Sequence, residues 1–159
     1  MKINHLAVIA LRIVLVGAFL LLALFQVMSL PGQFAHMAAE NPERAYLQWP
    51  LTIFAILEVA CVQVVIVSTW KLLTMVKRDQ IFSSRAFVWV DAIMWAIAAA
   101  WTMLAVFSAI VVLNADDPGV PLLLILMLAA GAAVGLVVVV LRALLRQAAD
   151  LRSDMEAVI

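Results

Sequence analysis

The sequence predicts an all-α polytopic membrane protein. Residues 1–159 read as a single domain, a four-transmembrane-helix bundle with both termini cytoplasmic. Three observations predict it. Apolar residues make up 68% of the chain and charged residues 13%, against roughly 45–50% and 25% in globular domains, and a soluble core of this length has no room for the excess. Four apolar runs are long enough to cross a bilayer, which needs about 20 residues. Lysine and arginine gather in the segments that would share one side of it.

The first run covers residues 6–30. Lys2 precedes it, but the run far exceeds the roughly 7–15 apolar residues of a signal peptide, and Arg12 interrupts it. A retained helix is expected, ended by Pro31-Gly32. The second run covers 51–75 and starts after Trp49-Pro50, where proline suits a first helical turn. The loop before it is expected to hold a short helical turn near Pro42–Tyr46. The third run covers 87–113. The fourth covers 120–145, after the polar turn Asn114-Ala-Asp-Asp-Pro-Gly. Each run must be helical, because backbone groups in hydrocarbon cannot stay unpaired. The alternation of a barrel strand is absent. The tail 146–159 carries apolar residues at helical spacing, so the fourth helix is expected to project a few turns before it frays.

Charge sets the orientation. Lys71, Lys77, Arg78 and Arg85 flank the second turn, and Arg142, Arg146 and Arg152 lie at the C-terminal end. The other two loops carry Arg44 against Glu40, Glu43, Asp116 and Asp117. The basic hairpin and both termini are therefore expected in the cytoplasm, with Tyr46 and Trp49 in the outer aromatic belt and Trp70 and Trp89 in the inner one. Ser83 is a candidate N-cap of the third helix. Phe82 and Phe87 stand at the two positions of a hydrophobic staple.

Ionisable residues inside a span are costly and default to functional candidates. By a rise of about 1.5 Å per residue, Arg12 and Asp91 lie roughly 9 Å and 6 Å inside the cytoplasmic boundary. They are expected to pair, either to fix helix register or to take part in a signal. Glu58 enters from the other side, roughly 12 Å deep, with no cation in that half of any span. Hydrocarbon favours its neutral form, and Gln63 is a candidate neighbour. Gly131-Ala-Ala-Val-Gly135 is a GxxxG motif, and Ala92, Ala96 and Ala100 form a small-residue stripe; both allow close helix packing, within the bundle or between copies.

Several classes are excluded. Cys61 is the only cysteine, which removes an internal disulfide, a CxxC pair and the paired-cysteine chemistry of four-helix disulfide-forming and quinone-reducing enzymes. His5 and His36 lie at opposite ends of the first span and cannot share a haem. No phosphate loop, HExxH, GxSxG or nucleophile–histidine arrangement occurs. Catalytic, metal and cofactor sites are therefore not expected. Net charge is zero, and the cytoplasmic segments are too short for a DNA-reading module, so direct nucleic-acid binding is not expected either.

The layout of span, loop, span, basic loop, span, span resembles a family of uncharacterised bacterial four-helix membrane proteins, a domain of unknown function that includes the YoaS-type proteins. Ile81-Phe82-Ser83 is similar to the family's turn before the third helix, with Ile81 in place of its Gly or Pro. Leu145–Arg152 followed by Asp154-Met155-Glu156 is similar to its acidic C-terminal end. The resemblance implies a bacterial inner-membrane protein, often encoded beside a small helix-turn-helix regulator, and carries no established activity. A membrane regulator or anchor for such a cytoplasmic partner is the leading expectation. Lys77, Arg78, Arg85, Arg146 and Arg152 would form its surface. The alternatives are a small oligomeric transporter or channel using Glu58, and a scaffold or assembly factor for a membrane complex. Small multidrug exporters share only the helix number, since the first span here carries arginine where theirs carries glutamate.

Overall fold

A computed structural model describes residues 5–158; Lys2, which precedes the first run, lies outside them. Four helices are long and apolar enough to cross a membrane: α1 (His5–Glu40), a second within Pro42–Lys77, α3 (Ser84–Asn114) and α4 (Gly119–Ala157). The second is a 3₁₀ segment, Pro42–Leu47, that leads into α2 (Gln48–Lys77). The protein is a multi-pass membrane protein.

Pro31-Gly32 does not end α1, contrary to the sequence expectation. In a regular helix the Pro31 ring would collide with the carbonyl four residues back, and its missing N–H would leave that carbonyl unpaired. Here the preceding turn, Phe25–Ser29, is π-helical, and the Leu30 N–H reaches back to the Phe25 carbonyl. This wider register accommodates the proline. The break comes at Asn41, which has φ −126° and ψ 78°. Pro42 follows it and disfavours the helical conformation in the residue before it.

The α2–α3 turn is built just as locally. Asp79 N–H donates to the Val76 carbonyl (3.2 Å) and Gln80 N–H to the Met75 carbonyl (3.0 Å), the paired bonds of a Schellman motif. That motif needs a left-handed residue, and Asp79 supplies it at φ 54°, a conformation aspartate tolerates better than most residues. Ser83 takes the N-cap position in extended conformation but makes no side-chain cap bond. Its hydroxyl instead donates to the Gln80 carbonyl at 2.6 Å. The hairpin turn thus recruits the group expected to cap α3.

Short connections make successive helices antiparallel neighbours, and packing follows chain order: α1 on α2, α2 on α3, α3 on α4. No other pair makes a substantial contact among the described residues, so the bundle is open. The tightest seam joins α2 and α3. Small or β-branched residues of these two helices are buried (Ser68, Ala86, Val90, Ala96, Ser108), and Phe54 stacks on Phe107 across the seam with ring centroids 4.9 Å apart. Three threonine hydroxyls inside the spans return to their own helices: Thr52 donates to the Gln48 carbonyl, Thr69 to Val65 and Thr102 to Ala98, which satisfies them in hydrocarbon. The outer faces, with Leu20, Leu126 and Val140 among them, are exposed and suited to lipid. As expected, the fourth helix projects beyond its apolar run: α4 runs to Ala157, so residues 146–157 extend it by about 18 Å.

Candidate functional site

Two ends can be told apart by charge. The basic end comprises the α2–α3 turn and the C-terminal part of α4. The acidic end comprises the 3₁₀ segment and the α3–α4 turn.

At the basic end, α4 is tied to the hairpin through one side chain. The Arg152 Nη2 donates to Asp79 Oδ2 at 3.4 Å and its Nε to Glu156 Oε1 at 3.3 Å. Its guanidinium also lies 5.2 Å from the centre of the Phe82 ring. The hydrogen bond to Asp79, then that carboxylate's charge and the bond to Glu156, raises the Arg152 pKa. The left-handed residue that closes the turn therefore also docks the tail. Beside this contact is a cleft of about 450 Å³ bordered by Phe82, Phe87, Arg142, Arg146 and Asp150. Both staple positions thus face one space. Lys77, Arg78, Arg85 and Arg146 are exposed and make no ion pair among the described residues.

One step deeper, Arg142 Nε donates to Asp91 Oδ1 at 2.6 Å, with both side chains about a third exposed (32% and 41%). This corrects the expected Arg12–Asp91 pair. Depth placed the two residues at one level, but α2 stands between α1 and α3. Arg12 instead donates to Thr74 Oγ1 at 3.3 Å and lies 5.1 Å from the centre of the Trp70 ring. Sequence reasoning grouped Arg142 with the orienting cations and missed its pairing. The signal was available, since Arg142 sits at the depth of Asp91 on the next antiparallel helix. Gln26 was missed as well. It lies in the π turn and donates to the Ile56 carbonyl of α2 at 3.0 Å.

Glu58 stands apart. Its Oε1 is buried with no hydrogen-bond partner among the described residues. Gln63 is half-buried and forms no bond with it, so the two candidates are not brought together. The packing motifs meet α3 and α4. A Cβ on Gly131 would lie 3.2 Å from Trp101 Cδ1, and one on Gly135 3.4 Å from Ile97 Cγ2. The Trp101 indole donates to the Leu128 carbonyl at 2.9 Å. The GxxxG face is therefore used within the chain. Ala96 of the small-residue stripe is buried, and Ala92 and Ala100 are half-buried. His36 pairs with Glu40 at 3.3 Å.

The family described as Protein of unknown function (DUF2975) matches residues 32–159. The match takes in the basic end, the Asp91–Arg142 pair, Glu58 and the GxxxG motif, and leaves out Arg12 and Gln26. No curated protein and no solved structure matches the chain.

Proposed function

Because the chain belongs to the DUF2975 family of proteins of unknown function, we propose its role from its own geometry: a non-enzymatic membrane regulator that anchors a cytoplasmic protein partner at its basic end. The bilayer is the bacterial inner membrane, and the basic end faces the cytoplasm by the positive-inside rule. The observation that carries this reading is the docking of the projecting α4 onto the hairpin through Arg152, Asp79 and Phe82. Two short segments thereby become one ordered surface, with Lys77, Arg78, Arg85 and Arg146 left free of ion pairs among the described residues. A partner with an acidic face fits it, and a small helix-turn-helix regulator is the kind the family resemblance implies. Affinity purification of the tagged protein from its native membrane should recover such a partner. Arg78→Glu with Arg85→Glu should abolish the complex while membrane insertion is unchanged; an intact complex refutes the surface.

One observation favours a second reading, a small oligomeric transporter. A carboxyl oxygen buried inside a span with no partner, as at Glu58, is suited to carry a proton or meet a cationic solute. Glu58→Gln should then abolish proton-coupled flux in proteoliposomes, and full flux in that variant removes the reading. Recovery of the bait only with copies of itself would shift weight to this alternative.

A further inference from the structure

A large cavity lies at the other end of the molecule from the proposed partner surface. It measures about 920 Å³ and opens between the 3₁₀ segment with the start of α2 and the last turns of α3. From Ala115 at its mouth to Thr102 at its depth it follows α3 for about 20 Å. Its walls are apolar, with Leu51, Met103, Val106 and Ile110 among them, and the stacked Phe54 and Phe107 contribute to them. Val106 and Ile110 are 58% and 59% exposed, so the cleft is open sideways toward lipid. The deep hydroxyl of Thr102 is already committed to the Ala98 carbonyl. Ligand-facing polarity is left to the mouth, where Arg44, Tyr46 and Asn114 stand.

Arg44 is the only cation in the two loops of this end, against Glu40, Glu43, Asp116 and Asp117. Yet no acidic residue among those described lines the cavity. Arg44 makes no ion pair among the described residues, and Glu40 is paired with His36. A guanidinium with its hydrogen-bond donors available therefore sits over a long apolar slot. The shape excludes a compact polar solute, and the charge disfavours a neutral or cationic one. The volume falls in the range of about 300–1,000 Å³ typical of a single small-ligand site.

We propose that this cleft binds a single-chain anionic amphiphile, a long-chain fatty carboxylate, with its chain between α2 and α3 and its headgroup on Arg44. The carboxylate accepts hydrogen bonds from the guanidinium in a planar, two-pronged arrangement, and the chain replaces bilayer lipid along the slot.

The test uses the full chain in lipid nanodiscs with a photoreactive palmitate analogue and peptide mapping. Labelling should concentrate on the peptides that carry Leu51–Phe54 and Met103–Asn114, and excess palmitate should displace it. Arg44→Gln should lower labelling about tenfold, the scale of one charge-assisted hydrogen bond. Val106→Trp, at an exposed wall position, should block the slot without disturbing the fold and lower labelling similarly. Even labelling of the lipid face of α4 would overturn the proposal. So would equal displacement by methyl palmitate, or displacement by phosphatidylglycerol where palmitate fails. Unchanged labelling in both variants would overturn it as well.

Discussion

At the scale of single residues, the Asp91–Arg142 pair (2.6 Å) is the most consequential contact. Removing one partner leaves the other charge inside a span, which costs about 3–5 kcal/mol at a fully buried pair and little at an exposed one. With both groups about a third exposed, Asp91→Ala should destabilise the protein by about 1–3 kcal/mol, read as a lower unfolding midpoint in detergent. Exchanging the charges, Asp91→Arg with Arg142→Asp, should recover part of the loss; a double variant no better than the single one would show that the pair contributes nothing. The candidate residues themselves were legible, because an ionisable group in an apolar run stands out in any sequence. Their partners were not. Depth follows from counting along a helix, whereas lateral neighbours depend on how helices are ordered in the plane. Arg12 and Asp91 share a depth and are kept apart by α2. Ser83 failed as a side-chain cap for a similar reason: a turn formed by other residues offered its hydroxyl a better acceptor.

At the scale of elements, small residues set how closely helices approach. The GxxxG motif was visible in the sequence, but its partner face was not, since a packing stripe serves a neighbouring helix and a second copy equally well. The geometry assigns it to α3. Gly131 lies under the Trp101 ring, where a Cβ would sit at 3.2 Å, while at Gly135 the nearest atom would be 3.4 Å away. The two glycines should therefore respond differently. Gly135→Ala meets an ordinary contact and should be close to neutral. Gly131→Leu must push Trp101 from its place and strain its bond to the Leu128 carbonyl (2.9 Å), at a cost of about 1–3 kcal/mol for overpacking. Thermal unfolding of the two variants in the same detergent checks the contrast, and equal effects would place the interface elsewhere. The π turn makes a related point about α1. Pro31-Gly32 reads as a terminator by composition, yet a wider hydrogen-bond register carries the helix past it. Asn41-Pro42 does the terminating because the residue before that proline leaves the helical conformation.

At the scale of the whole molecule, the two ends differ in charge, and every functional proposal depends on which faces the cytoplasm. Lys71, Lys77, Arg78 and Arg85 at one end oppose a single Arg44 among four acidic residues at the other. Topology follows lysine and arginine counts in short loops, and all connections here are short. The basic end should therefore be inside. The lone Cys61, half-buried in α2, makes the test direct. In a Cys61→Ala background, a membrane-impermeant maleimide applied to intact cells should label Asp116→Cys, and should label Gln80→Cys only after the membrane is permeabilised. Both positions are exposed turn residues, so accessibility alone does not bias the comparison. The reverse pattern would place Arg78, Arg85 and the docked tail outside, where no cytoplasmic partner reaches them, and would turn the Arg44 cleft to the inner leaflet. Labelling of both positions in intact cells would indicate two inserted orientations, and the difference in loop charge would then be insufficient to fix one.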